Sequence, residues 1–121
     1  MTADQFLAEY WQKKPLLVRG AIPGFTGLLS RDEMLDLACR DDVESRFVSQ
    51  VGGWTIDHGP FSRAALRRKP KPWTALVQGL NMLLPNADAL MREFAFIPYA
   101  RLDDLMVSYA TDGGGVGPHF D

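Results

Sequence analysis

Glycine is concentrated near the end of the sequence, where residues 111–118 read TDGGGVGP. Glycine adopts backbone conformations that other residues avoid, so this segment is predicted to be a loop. The preceding residues 105–110 form an apolar run with a β-branched residue and an aromatic residue, which predicts a buried strand. The sequence therefore places a strand and a conformationally unusual loop directly before the tripeptide His119-Phe120-Asp121.

The spacing of His119 and Asp121 points to metal chemistry. If the tripeptide lies on a strand, both side chains face the same side, because side chains alternate with a period of two. An imidazole and a carboxylate that converge in this way supply two ligands of the 2-His-1-carboxylate site of non-haem Fe(II). By itself the tripeptide is a weak signal, and an ordinary strand or loop histidine is the alternative. The glycine loop favours the site, because it suits close approach of a substrate.

Size and charge restrict the class of protein. The chain has 121 residues, enough for one small domain, and a net charge of −2 with a pI near 5.6. These values argue against bulk electrostatic binding to nucleic acid or to an anionic membrane. We find neither a membrane-spanning apolar stretch nor a secretory signal. The single cysteine, Cys39, cannot form an internal disulfide and is expected to be a buried thiol, so a cytoplasmic location is predicted.

Short predicted strands alternate with three predicted helices. The helices cover residues 3–13 with Thr2 as the N-cap, residues 30–40 with a Ser30/Glu33 capping box, and a segment that begins at Pro85 or is capped earlier by Asn81. The strands are predicted at residues 15–20, 44–51, 54–57, 73–79 and 105–110, with a hairpin turn at residues 52–53. This pattern predicts an α+β fold in which helices cover a mostly antiparallel sheet.

A short basic run allows two interpretations. Residues 63–71 contain five cationic side chains: Arg63, Arg67, Arg68, Lys69 and Lys71. One interpretation is a solvated helix end and loop, and the other is a docking patch for an anionic partner such as RNA or a ribosomal surface. His58 and the pair Asp103-Asp104 are expected to have structural roles, in a turn and in helix capping or an ion pair.

Three segments carry a family resemblance: FLAEYWQKKPLLVRGA, WTALVQGLN and RLDDLMVSYATDGGGVGPHFD. They resemble the bacterial JmjC-type ribosomal oxygenases, which belong to the cupin superfamily. These Fe(II)- and 2-oxoglutarate-dependent dioxygenases hydroxylate an arginine of a large-subunit ribosomal protein. The segments occur in the family's order and span the chain, which matches only the N-terminal part of the family.

The resemblance implies a single partial JmjC/cupin-like domain over residues 1–121. Residues 1–100 would form flanking N-terminal elements, and residues 105–121 would form the first core strands of a truncated double-stranded β-helix. His119 and Asp121 would bind Fe(II), with 2-oxoglutarate as co-substrate. The family gives this chain neither a catalytic residue beyond these ligands nor a 2-oxoglutarate-binding residue. A substrate loop would contain the four glycines of the loop: Gly113, Gly114, Gly115 and Gly117.

The family pattern also requires a distal histidine ligand and a basic residue for 2-oxoglutarate that this chain lacks. The chain alone is therefore expected to be inactive, and its parent protein is expected to be an active cytoplasmic enzyme. Its expected partner is a large-subunit ribosomal protein, without direct binding to nucleic acid or membrane. A homodimeric parent and a different substrate protein or side chain are left open. The alternative function is a non-catalytic cupin-like module that docks on a ribosomal component.

Overall fold

An antiparallel sheet of four strands organises the computed structural model, which describes residues 1–120. The strands are β1 (Ser45–Ser49), β2 (Thr55–His58), β3 (Trp73–Val77) and β4 (Val107–Ala110). Their order across the sheet is β2-β1-β3-β4, and every pair of neighbours is antiparallel. The structure confirms the predicted α+β class and the hairpin, and the strand predicted at residues 73–79 covers Trp73–Val77.

Short helices connect and cover these strands. They are α1 (Ala3–Glu9), α2 (Arg31–Leu37), α3 (Arg63–Arg68), α4 (Leu80–Leu83) and α5 (Pro85–Arg92), and a 3₁₀ turn covers Tyr99–Arg101. None of the helices within residues 1–120 has the length and apolar character needed to span a membrane.

Local capping explains where the first two helices begin. Thr2 and Ser30 each form a complete capping box with the residue three positions later, Gln5 and Glu33 respectively. Hydrogen bonds from the Ser30 hydroxyl and backbone N–H lower the pKa of the Glu33 carboxyl. Both helices end three or four residues earlier than the sequence predicts. Residues 10–13 and 38–39 instead form turns.

Two other sequence predictions were wrong. Residues 15–20 do not form a strand: Leu17 is 74% exposed, and the segment pairs with no other strand among residues 1–120. An apolar run without a neighbouring strand lacks partners for its backbone groups. Of the two starts predicted for the third helix, Pro85 is correct, whereas Asn81 caps no helix. Asn81 lies inside α4, where its side chain accepts a hydrogen bond from the backbone N–H of Leu105 at 3.0 Å.

The core lies between α2 and one face of the sheet. Phe47, Ala75 and Tyr109 occupy neighbouring positions in register on β1, β3 and β4. The rings of Phe47 and Trp73 are 5.0 Å apart, and those of Trp73 and Tyr109 are 5.8 Å apart. The helical side of the core includes Met34 and other fully or nearly buried side chains: Leu35, Leu37, Ala38, Leu66, Leu80 and Ala87.

Strand β4, one of the two edge strands of the sheet, is covered on one face only. In β4, Val107 and Tyr109 pack against the core, whereas Ser108 and Ala110 are exposed. The prediction of a buried strand at residues 105–110 is therefore correct for one face only. An edge strand with one face on helices alternates in burial, although its sequence reads as a continuous apolar run.

We predict that Phe47→Ala lowers the free energy of unfolding by about 3–5 kcal/mol, because it leaves a cavity where a large side chain is fully buried. Urea denaturation would measure the loss. Ile56→Ala is the matched control, since Ile56 lies on the adjacent strand and is 60% exposed. It should cost less than about 0.5 kcal/mol. Equal losses for the two variants would contradict the assigned core.

Candidate metal centre

The loop after β4 begins at one end of the sheet. Ala110 lies opposite Thr74, and Ser49 lies opposite both Trp73 and Thr55. The ends of β1 and β4 and the beginnings of β2 and β3 therefore meet at this end. A segment that leaves β4 and runs across this end of the sheet passes β3 first and then the β1–β2 hairpin.

Thr111 fixes the first residue of the loop. Its hydroxyl accepts a hydrogen bond from the backbone N–H of Trp73 at 2.9 Å and donates to the Trp73 carbonyl at 3.1 Å. The Thr111 N–H donates to the same carbonyl at 3.0 Å. Thr111 is buried, so these bonds satisfy polar groups that water does not reach.

Gly114 lies where no side chain fits. A Cβ atom at this position would lie 2.6 Å from the Trp73 carbonyl oxygen and 2.8 Å from that of Thr111. The Gly114 N–H donates to the Thr111 carbonyl at 2.7 Å and closes the turn. Gly114 is therefore required for close packing against the start of β3.

The later glycines bring the loop to the hairpin. A Cβ atom on Gly115 would have as its nearest neighbour the side-chain nitrogen of Gln50, at 3.7 Å. Gly117 has a φ of +76°, and a Cβ atom there would lie 3.3 Å from the six-membered ring of Trp54. The loop thus crosses the sheet end from β4 to Trp54, the residue directly before β2.

His119 follows this crossing in an irregular segment, since residues 111–120 contain no strand. It is exposed, and its Nδ1 lies 3.0 Å from the Gly117 carbonyl oxygen. A carbonyl oxygen can only accept, so Nδ1 is the donor in this contact. Metal-binding histidines commonly use one nitrogen for the metal and donate from the other to a carbonyl.

This arrangement fits the imidazole ligand of a non-haem iron site. Asp121, the other predicted ligand, lies outside the described residues. Within residues 1–120, no group of three or more His, Cys, Asp or Glu side chains is placed to hold a metal ion. The described part of the chain therefore contributes one candidate ligand, and the glycine loop determines where it lies.

The other histidine lies apart from this centre. His58 is the last residue of β2, rather than part of a turn as predicted, and it is opposite Arg46. Trp54 precedes the first residue of the same strand, so β2 separates His58 from the loop that carries His119. His58 is exposed and provides a control for the role of His119.

Much of the predicted basic run forms α3, which Ser62 caps by accepting from the Ala65 N–H at 3.1 Å. Two of its five cations are paired internally: Arg63 with Asp36 at 2.8 Å, and Lys69 with Asp57. The other three are exposed and form no ion pair with any residue of 1–120: Arg67, Arg68 and Lys71.

A cleft of about 350 Å³ lies at the opposite end of the sheet, where Glu44 and Gln78 flank β1 and β3. Three of its four acidic groups already have partners. Asp42 pairs with Arg40, Glu44 pairs with Arg46, and Asp104 accepts from the backbone N–H of Gly79 at the beginning of α4. The last contact places the Asp104 carboxylate on the backbone of Gly79, the residue that precedes α4.

Comparison with known proteins identifies relatives, although no protein-family model matches. A probable ribosomal oxygenase of Haemophilus influenzae is 38% identical over 123 aligned residues, covering 100% of this chain and 30% of the relative. The ribosomal protein uL16 3-hydroxylase of Escherichia coli is 42% identical over 117 residues, covering 96% of this chain and 31% of the relative.

A solved structure agrees with these sequence matches. The E. coli ribosomal oxygenase YcfD in complex with cobalt and 2-oxoglutarate superimposes with a TM-score of 0.91 at 39% identity. The match covers 100% of this chain and 34% of the YcfD chain. The chain thus spans about a third of the length of the relatives it matches and corresponds to their N-terminal part.

We predict that Gly114→Ala lowers the free energy of unfolding by about 1–3 kcal/mol, because its Cβ would overlap two backbone oxygens. Gly115→Ala is the matched control, with its nearest neighbour at ordinary contact distance, and should change stability by less than about 0.5 kcal/mol. Chemical denaturation of the two variants would measure the difference. Equal stability would mean that the loop does not pack on β3.

A second prediction concerns the Thr111 hydroxyl. Thr111→Val should cost about 1–3 kcal/mol, since the buried Trp73 N–H loses its acceptor. Thr111→Ser keeps the hydroxyl and should retain most of that stability. Thermal unfolding of both variants would test this. A valine variant more stable than the serine variant would contradict a structural role for these bonds.

Proposed function

The chain belongs to the ribosomal oxygenases as their N-terminal part, and from this relationship we propose that the protein carrying it is an Fe(II)- and 2-oxoglutarate-dependent protein hydroxylase. The observation that best supports the proposal is the match of the whole chain to 34% of a ribosomal oxygenase whose structure contains cobalt and 2-oxoglutarate. In this proposal β4 is the first strand of a JmjC/cupin barrel, and residues 1–100 flank and support it.

We propose that His119 binds the metal through Nε2 and that Asp121 supplies a carboxylate oxygen. A third ligand and the 2-oxoglutarate-binding residues would come from outside residues 1–121, so these residues alone are expected to give no turnover. Iron with 2-oxoglutarate, when bound, supplies the oxidising chemistry that converts a substrate C–H bond to an alcohol. In the overall reaction O₂ provides one oxygen atom to the substrate and one to the succinate that forms with CO₂.

The described residues would serve to position His119 and admit the substrate. The Thr111 hydrogen bonds and the close packing of Gly114 hold the beginning of the loop on β3. The Gly117 carbonyl holds the His119 ring through Nδ1. Because glycines lack side chains, the loop also allows close approach of a bulky protein substrate. Gly113, Gly114, Gly115 and Gly117 are therefore proposed to line the substrate entrance.

The proposed substrate is an arginine of a large-subunit ribosomal protein. The E. coli relative is named for hydroxylation of such a protein, uL16. This substrate also makes the cytoplasm the expected location. Mass spectrometry of the reaction product would identify the hydroxylated protein and side chain.

One observation favours a second candidate function, a non-catalytic module that docks on a ribosomal component. Arg67, Arg68 and Lys71 are exposed and have no ion-pair partner within residues 1–120. Internal pairing of Arg63 and Lys69 reduces the available charge, which makes this patch smaller than the sequence suggests. Charge reversal at Arg67 and Arg68 would abolish ribosome binding by such a module.

We predict that the full-length protein converts 2-oxoglutarate to succinate when Fe(II) and large-subunit ribosomal protein are supplied. His119→Ala should reduce turnover by at least about 100-fold, since it removes a metal ligand, whereas His58→Ala should retain it. Succinate formation measures turnover, and mass spectrometry of the substrate locates the added oxygen. Absence of both turnover and bound metal in the wild-type protein would favour the docking module.

A further inference from the structure

We infer that Trp54 is a positioning residue for the metal ligand His119 and acts through the backbone of Gly117. The inference rests on the proposed metal role of His119 and extends it to a side chain that does not itself bind metal. Trp54 and Gly117 are far apart in sequence and belong to different elements, the β1–β2 hairpin and the loop after β4. Their contact is therefore a tertiary one.

The position of Trp54 is unusual for a large apolar side chain. It follows Gly52 and Gly53 at the hairpin and is 53% exposed, although tryptophan is highly buried on average. Part of its ring is nevertheless covered. A Cβ atom built on Gly117 would lie 3.3 Å from ring atoms Cε2 and Cζ2 and 3.5 Å from Cη2. The Gly117 Cα lies about 1.5 Å from the position of such a Cβ, so the Gly117 backbone lies within about 5 Å of the six-membered ring.

The same glycine holds the histidine. The Gly117 carbonyl oxygen lies 3.0 Å from Nδ1 of His119. The carbonyl carbon is bonded to the Gly117 Cα, and the peptide unit that contains it is planar and rigid. A shift of Cα on the tryptophan ring therefore moves the carbonyl oxygen, and with it the acceptor that orients the imidazole.

Gly117 needs this external support. Its φ of +76° lies in the left-handed region. Glycine populates this region about as readily as the region of negative φ, so the sequence alone does not fix the conformation. Without a surface to pack on, the Gly117 backbone would populate other conformations, and the His119 ring would lose its fixed acceptor. Groups that orient a metal-binding histidine typically change metal affinity by about 10–100-fold when they are removed.

The test measures Co(II) binding to the metal-free full-length protein, together with the visible absorption spectrum of bound Co(II). Trp54→Ala should weaken Co(II) binding about 10-fold and shift the spectrum, which reports ligand geometry. Ile56→Ala, which removes another exposed apolar side chain of the same hairpin, should leave both unchanged. Thermal unfolding of the metal-free variants separates a change at the metal from a general loss of stability.

A double-mutant cycle tests whether Trp54 acts through Gly117. Gly117→Ala alone should weaken Co(II) binding, because its Cβ presses on the Trp54 ring and its positive φ becomes strained. In the Trp54→Ala background the ring contact is gone, so the same substitution should cause a smaller loss. Non-additive losses indicate that the two residues act as a unit.

The outcomes distinguish this inference from the proposed function. If His119→Ala loses Co(II) but Trp54→Ala binds it with wild-type affinity and spectrum, the positioning role is overturned and the metal role stands. If His119→Ala binds Co(II) like the wild type, the metal role itself fails. Additive losses in the cycle also overturn the inference. If Trp54→Ala does not fold, Trp54→Leu takes its place, and wild-type Co(II) binding by a folded leucine variant would likewise overturn it.

Discussion

The hydrogen bonds between Thr111 and the Trp73 backbone connect the core to the loop that carries the candidate ligand. Trp73 lies at the centre of the core, where its ring packs between those of Phe47 and Tyr109. Its backbone N–H and carbonyl both bond to Thr111. The position at which the loop leaves the sheet therefore depends on the packing of the hydrophobic core. The placement of every later residue of the loop depends on this starting point.

Sequence reasoning was reliable where the structural signal is local. The Thr2 N-cap and the Ser30/Glu33 capping box depend on residues at most three positions apart, and the structure contains both. The glycine pair at 52–53 likewise predicts the hairpin, because its positive φ angles are a property of those residues. The strand predicted at residues 15–20 failed for the opposite reason. Strand formation requires a partner elsewhere in the chain, and an apolar pattern does not reveal whether one exists.

The candidate site shows the same contrast between features set by neighbouring residues and features that depend on distant parts of the chain. His119 and the glycine loop are apparent from the sequence because they are contiguous. Trp54 belongs to the strand predicted at residues 54–57, but it precedes β2 and lies half exposed beside Gly117. No pattern in a single sequence connects the hairpin to the loop, since their contact results from the strand order β2-β1-β3-β4. Only the folded sheet brings these residues together.

The sheet topology also implies an order of assembly. Strands β1 and β2 are joined by a short turn, whereas the chain from Val77 to Val107 must be brought back before β4 can pair with β3. The entropy lost on closing a loop increases with its length, and distant pairings form slowly. The hairpin with Trp54 is thus expected to exist before β4 docks. During folding the glycine loop would arrive at a surface already formed, and the histidine would be the last of these groups to become ordered.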